Sequence, residues 1–191
     1  NHLIQNYPKP YIALMDGIVM GGGMGISQGA ALRVVTERTK MAMPETHIGL
    51  FPDVGGGYFL SRCSGPACPA HMGEYLALTG HVLRGGESLH AGLADVCVDS
   101  SILPALWEGL RQTDWTSGGA VVAWLREQSQ ANTAHALAAT PAWDSAPIDA
   151  VFGLASVAAI EQALQGSDEW SVQTLKALHH QSPLMLCVTL E

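Results

Sequence analysis

Apolar positions change their period several times along this chain, and each change marks an element. In "PYIALMDGIV" (10–19) apolar residues alternate between a bounding proline and an Asp-Gly pair, which predicts a strand ending in a turn. "LRVV" and "KMAM" predict two more short strands, joined by the polar link "TERT". Beyond Gly55 the period lengthens. "GYFLSRC" and "AHMGEYLALTG" read as helices, the second stopped by Gly80. "ESLHAGLADVCVD" predicts a short helix, a glycine stop and a strand, and "SSILPALWEGLRQ" predicts a helix opened by a serine cap. From about position 113 helical patterns dominate. "AVVAWLREQSQ" lies between the loops "TDWTSGG" and "ATPAWDSAPID", and "VAAIEQALQG" and "WSVQTLKALHHQ" follow as amphipathic helices. Ser182 as N-cap and Pro183 at the first helical position open a last one. Short strands mixed with helices predict α/β layer packing over 1–112, a variable loop and helix segment over 113–147, and a helical C-terminal region over 148–191.

Composition narrows the function classes. With 191 residues, 48% hydrophobic and 14% charged, the chain holds enough apolar surface for one ordinary core. A net charge of -8 with only nine Lys and Arg, and no basic run, argues against a nucleic-acid partner. No apolar run approaches the ~18 residues that span a bilayer, and no charged-then-apolar leader opens the chain, so a soluble protein is expected. Cys63, Cys68, Cys97 and Cys187 are irregularly spaced, which suggests reduced thiols in a cytosol-like compartment. No second Cys or His pair stands at zinc-site spacing from Cys63 and Cys68, and no metal is expected. The start at Asn1 and the short final helix predict a fragment of a longer chain.

Two features carry candidate chemistry. "MGGGMG" (20–25) stands between a strand and a helix, where bare N–H groups can bind an oxyanion. It lacks the Gly-Lys-Ser/Thr ending of a phosphate loop and the G-x-G-x-x-G spacing of a dinucleotide site. Taken alone, the run serves equally well as a close-packed turn; Gly25 and Gly29, four apart, would let a helix approach a neighbour. The second feature is Glu45 and Asp53 in "MPETHIGLFPDVGGGYF" (43–59), a stretch without a basic residue. Two carboxylates in apolar surroundings can have their pKa values raised and split, which suits acid, base or nucleophile work. A solvated cap for Glu45 and a Pro-Asp turn for Asp53 are the ordinary alternatives.

The blocks "KPYIALMDGIVMGGGMGIS", "MAMPETHIGLFPDVGGGYFLSR", "YLALTG" and "AGLADVCVD" decide between these readings. In order and spacing the chain resembles the crotonase (enoyl-CoA hydratase/isomerase) superfamily over nearly its whole length. It is most similar to the 3-hydroxyisobutyryl-CoA hydrolase branch, with "AIEQAL" and "HHQSPL" adding to the likeness; 113–147 match poorly. The resemblance implies a spiral of ββα turns, a thioester-bound acyl group and an oxyanion hole of two backbone N–H groups. One donor falls on Gly22; the other, with most of the CoA adenine pocket, falls upstream of residue 1. Glu45 and Asp53 fall on the acidic positions of the hydrolase branch. Hydratases of the superfamily carry a glutamate where this chain has Gly25, and a small residue where it has Asp53.

Thioester hydrolysis is therefore the expected activity, on 3-hydroxyisobutyryl-CoA in valine breakdown. Glu45 would attack the carbonyl or deprotonate water, and Asp53 would orient water or the substrate hydroxyl. An enoyl-CoA hydratase or isomerase, and a noncatalytic acyl-CoA-binding or assembly subunit, are the alternatives. No cofactor is expected beyond the coenzyme A of the substrate. Superfamily members commonly build trimers through C-terminal helices, which leaves a homo-oligomer open, and the expected location is cytoplasmic, or the mitochondrial matrix in a eukaryote. His47 is read as a bystander, adjacent His179 and His180 as facing different ways, Asp16 as a turn former, and Trp107, Trp124 and Trp170 as core or interface.

Overall fold

The apolar run at 11–20 does not stay in one sheet. In a computed structural model describing residues 1–191, strand β1 (Ile12–Met15) ends at Asp16-Gly17, and β2 (Ile18–Met20) leaves in a second sheet. Gly17 takes φ +118°, a conformation open to glycine, so the chain swings between sheets in two residues. The next pair repeats the move: β3 (Leu32–Thr36) joins β1 in parallel, and β4 (Lys40–Ala42) joins β2 in parallel. A two-residue β5 (Leu83–Arg84) closes the second sheet antiparallel to β4, and β6 (Val96–Val98) closes the first parallel to β3. The sheet orders are thus β1-β3-β6 and β2-β4-β5. That alternation is the expected spiral of strand, strand and helix.

Eleven helices surround the sheets: α1 (His2–Gln5), α2 (Gly22–Ser27), α3 (Gly56–Leu60), α4 (Met72–Thr79), α5 (Gly85–His90), α6 (Leu103–Gln112), α7 (Gly118–Ala138), α8 (Ser145–Phe152), α9 (Val157–Ala163), α10 (Glu169–His179) and α11 (Pro183–Leu190). The central strand β3 is buried on both faces, as a covered parallel strand must be. Val35 joins the main core with Met41, Met72, Leu78, Phe152 and Ile160. Leu32 and Val34 form a second cluster with Val96, Val98, Leu106 and Leu125 beneath α6 and α7.

Several sequence expectations are refined by the structure. Asp99, not a serine, caps the turn before α6, accepting from the Ser101 amide at 2.8 Å. The helix read from 120 to 130 runs from Gly118 to Ala138, because Ser117 caps its start and it packs on β6 and α5. Part of the loop read at 139–149 is the start of α8, capped by Asp144. Trp107 is exposed rather than core, whereas Trp124 stacks edge-on against Trp115 with centroids 5.6 Å apart. Asp16 does shape its turn, pairing with Arg38 and accepting from the Thr36 hydroxyl at 2.7 Å.

The β3–β6 pair is clamped by Arg33 and Asp95. The Arg33 guanidinium spans both carboxylate oxygens at 3.0 and 2.8 Å, and the Arg33 amide adds a third donor at 2.7 Å. Burial raises the Asp95 pKa, but the Arg33 side chain and amide outweigh it and hold the carboxyl below its usual range. A lowered folded pKa contributes stability above the unfolded value near 4, and that contribution is lost as pH falls through the folded one. Asp95→Asn is therefore expected to cost about 1–3 kcal/mol in urea denaturation at pH 7. The difference from wild type should shrink below about pH 4.

Candidate active site

The site forms where β2 runs into α2. Gly21 turns at φ +50°, donates its N–H to the Ala42 carbonyl at 3.1 Å, and accepts from the Gly25 N–H at 3.0 Å. This seats the helix start on β4. Gly22, the first helical residue, has no carbonyl one turn back within the helix, so its amide has no intrahelical acceptor. It is exposed, and nothing lies within 4 Å of where a Cβ would sit.

Glu45 opens a 3-10 helix (Glu45–Ile48) just beyond β4. The residue is only 6% exposed, and its Oε2 is buried without a hydrogen-bond partner. Its Oε1 stands 2.5 Å from the position a Cβ would take on Gly21. Any side chain at 21 would displace the carboxylate. Burial pushes the Glu45 pKa above the ordinary value, outweighing a lowering by the residue's own amide, and the nearby charge of Asp53 adds a smaller rise. No basic side chain is among the groups that shift it.

Asp53 is half-buried in the turn leading to α3, where its carbonyl accepts from the Gly56 N–H at 2.6 Å. Val54 follows at φ +46°, the one non-glycine residue of the chain with positive φ. Its side chain lies on Gly25: a Cβ there would meet Val54 Cβ and Cγ2 at 2.5 Å. The close helix approach expected at Gly25 is thus made to the Asp53 turn. At Gly29 it is looser, with Ile4 Cγ2 3.3 Å from a Cβ position.

From the other side the Glu45 helix is held by the C-terminal region. Fully buried Thr46 donates its hydroxyl to Gln181 Oε1 at 3.1 Å, and its carbonyl accepts from the Ser182 amide at 2.9 Å. Gln181 donates onward to the Thr79 and Ala177 carbonyls, both at 3.1 Å. His47 is exposed, with Nδ1 3.1 Å from the His180 carbonyl oxygen, so its ring serves this junction. His179 instead reaches Glu161 at 3.7 Å. No three His, Cys, Asp or Glu side chains gather as metal ligands.

The structure sets Glu45 against the Gly21 backbone, next to Gly22, with Asp53 near enough for its charge to act on Glu45; Ile48, Leu50 and Phe51 between the two acids are exposed. A cleft of about 510 Å³ lies between the start of the Asp53 turn and α11, lined by Phe51, Pro52, Leu60, Glu74, Ala77 and Leu190; Gly22, Glu45 and Asp53 do not line it. Two contributors lack a sequence signal. Gly21 is one glycine of a run, and a valine in the left-handed region is not written in "PDVGGG".

The enoyl-CoA hydratase/isomerase family model matches residues 1–191. The chain belongs to this family. Over 193 residues it is 39% identical to a protein of Xenopus tropicalis named 3-hydroxyisobutyryl-CoA hydrolase, mitochondrial, covering 99% of this chain and 48% of that one. Over 206 residues it is 38% identical to the small ribosomal subunit protein mS47 of Neurospora crassa, covering 100% of this chain and 40% of that one. Among solved structures, a carnitinyl-CoA dehydratase of Mycobacterium thermoresistibile superposes with a TM-score of 0.79 at 35% identity, over 98% of this chain and 51% of that one. An enoyl-CoA hydratase of Rhodobacter sphaeroides gives 0.75 at 32%, over 99% of this chain and 50% of that one. The chain spans about half the length of the first of these relatives, 48% of its sequence. The expected crotonase-like α/β fold is confirmed at this level of likeness.

The family fold here stores a cost in Glu45. A raised folded pKa means that the buried charge opposes folding above that pKa, and the penalty disappears as pH falls to the unfolded value. Glu45→Gln is expected to stabilise the chain by on the order of 1 kcal/mol at pH 7.5. In urea titrations the gain should narrow steadily toward about pH 4.

Proposed function

We propose that the protein hydrolyses a short acyl-CoA thioester, with 3-hydroxyisobutyryl-CoA as the leading substrate, releasing the free acid and coenzyme A. One observation carries the reading: a buried carboxylate with an unpartnered oxygen stands beside a bare glycine turn whose next amide, that of Gly22, is open. Attack on a thioester carbonyl moves negative charge onto its oxygen, and an N–H donor aimed there lowers the barrier by about 3–4 kcal/mol in comparable acyl transfers. Gly22 supplies such a donor. Glu45, desolvated and short of hydrogen bonds, supplies the oxygen nucleophile or the base.

Two routes balance. In one, a Glu45 oxygen bonds to the carbonyl carbon, the C–S bond breaks, and CoA leaves as a thiolate that takes up a proton; water then cleaves the mixed anhydride. In the other, Glu45 takes a proton from water as the water oxygen bonds to the carbon, and that proton ends on the sulfur. Asp53, one turn of chain away and close enough to raise the Glu45 pKa, orients water or the substrate hydroxyl and helps pass that proton. The reading needs no cofactor beyond the CoA of the substrate. The free state of all four cysteines suits a reducing compartment, the mitochondrial matrix in a eukaryote. No helix is long and apolar enough to cross a membrane.

A second reading, a noncatalytic subunit of a larger assembly, is favoured by the likeness to the small ribosomal subunit protein mS47. Incubation of the full-length protein with 3-hydroxyisobutyryl-CoA separates the two by free-thiol release, and crotonyl-CoA tests the hydratase activity named for the Rhodobacter neighbour. Hydrolysis predicts thiol release without loss of enoyl absorbance; binding with neither signal points to the assembly role. Glu45→Gln should lower kcat by about 10²–10⁴ while acyl-CoA still binds. Gly22→Pro removes one N–H at a first helical position that tolerates proline, and should lower kcat by about 10²–10³ with the helical signal kept.

A further inference from the structure

A cavity of about 340 Å³ opens between the end of α4, the loop before α8, and α10; Gly22, Glu45 and Asp53 do not line it. Its walls include Tyr75, Thr79, His81, Trp143, Trp170 and Thr174. The volume is that of a small-ligand site, and no Lys or Arg is among the lining residues.

The walls are positioned by contacts within the fold. Trp143 donates its indole N–H to the Ala67 carbonyl at 3.1 Å, which fixes that ring. Tyr75 packs edge-on against Phe152 with centroids 5.1 Å apart, and lies 5.2 Å from the His81 ring. The Thr79 hydroxyl donates to the Tyr75 carbonyl at 2.6 Å and accepts from the His81 amide at 3.2 Å, so the end of α4 and the residue past its glycine stop are linked into one wall.

The polar groups that face this space are open. Tyr75 and Thr174 are each only 6% exposed, yet neither hydroxyl has a partner in the protein. The unpartnered side-chain atoms that are sealed from solvent are Glu45 Oε2, His90 Nδ1 and Thr189 Oγ1, so the Tyr75 and Thr174 hydroxyls reach the cavity that their residues line. The His81 ring nitrogens and the Trp170 indole N–H are also without protein partners. Hydroxyls buried this far without partners cost free energy that an occupant with matching edges would offset. Burial pushes the Tyr75 pKa up to about 12, with the Glu87 charge adding to the rise, and burial lowers that of His81 against the opposing Glu87 charge. Near neutral pH the tyrosine therefore keeps its O–H, and the histidine is a neutral ring with one donor and one acceptor.

We propose that this cavity is a binding site for an uncharged, planar nitrogen heterocycle of one or two rings, packed on the indole and phenol rings and hydrogen-bonded at its edge by Tyr75, His81 and Thr174. An anion would find no basic side chain in the walls, and the charge that acts on Tyr75 and His81 is the Glu87 carboxylate. A quaternary ammonium would find aromatic faces but leave the hydroxyls unpartnered. A heterocycle uses both. The inference stands apart from the proposed hydrolysis and is tested without turnover.

The test is ¹⁵N NMR of the tryptophan indole groups in the full-length protein at pH 7.5, with the Trp143 and Trp170 signals assigned by their loss in Trp143→Phe and Trp170→Phe. Benzimidazole, neutral at that pH with one donor and one acceptor nitrogen, is the probe, and tetramethylammonium and benzoate are the charged controls. Benzimidazole should shift both signals with one Kd of about 0.1–2 mM, and the controls should shift neither. Tyr75→Phe and Thr174→Val each remove a hydroxyl with little change of shape and should weaken binding about 3–10-fold. Thermal denaturation checks that both variants fold; if Tyr75→Phe does not, Thr174→Val alone decides. No saturable shift up to about 5 mM benzimidazole would overturn the site. A wild-type Kd in the folded hydroxyl variants would overturn the hydrogen-bonding edge. Tighter binding of tetramethylammonium than of benzimidazole would overturn the heterocycle in favour of an organic cation.

Discussion

A carboxylate packed against a glycine backbone, with one oxygen lacking any partner, is the constraint on which the rest of this structure turns. Burying an unpaired polar atom in this way costs free energy that a fold ordinarily avoids. It persists here because neighbouring elements leave Glu45 little alternative. β4 delivers it to the rim of the second sheet, the Gly21 turn presses on it from one side, and the Thr46–Gln181–Ser182 hydrogen bonds fix its short helix from the other. The C-terminal helices thereby act on the site without contributing a reacting group.

Close packing explains why positions 21 and 25 resist other residues. Gly21 yields to the carboxylate and Gly25 to Val54, while Gly22 faces open space. One short helix start thus combines close packing on one side with an open amide on the other. The two readings that the glycine run allows from sequence, a tight turn and an oxyanion donor, fall on different residues of the same run and need not compete.

Much of the architecture was legible because periodicity and punctuation agreed. β3, β4, α4 with its Gly80 stop, and α11 with its Ser182 cap lie where alternation, glycine and capping chemistry put them. Boundaries were lost where tertiary packing extends an element past its local signal, as in α7 against β6, or where an aspartate caps in place of a nearby serine, as at Asp99. The break of the first apolar run into two sheets was invisible to alternation, since Met15 and Ile18 suit either sheet and only Gly17 marks the turn. For the site, the acids and the glycine run were found by type and by family resemblance. Gly21 and Val54 were missed, because steric contacts with residues 24 and 29 positions away, Glu45 and Gly25, have no local signature.

The account depends most directly on Glu45 being a desolvated carboxylate within reach of the Asp53 charge. Labelling the glutamate side-chain carbons with ¹³C, assigning the Glu45 signal by its loss in Glu45→Gln, and titrating by NMR measures that state without any assay of turnover. The account predicts a Glu45 midpoint above the ordinary glutamate value of about 4.3 that moves down when Asp53 is replaced by asparagine. A midpoint at or below the ordinary value, unchanged by Asp53→Asn, would contradict it.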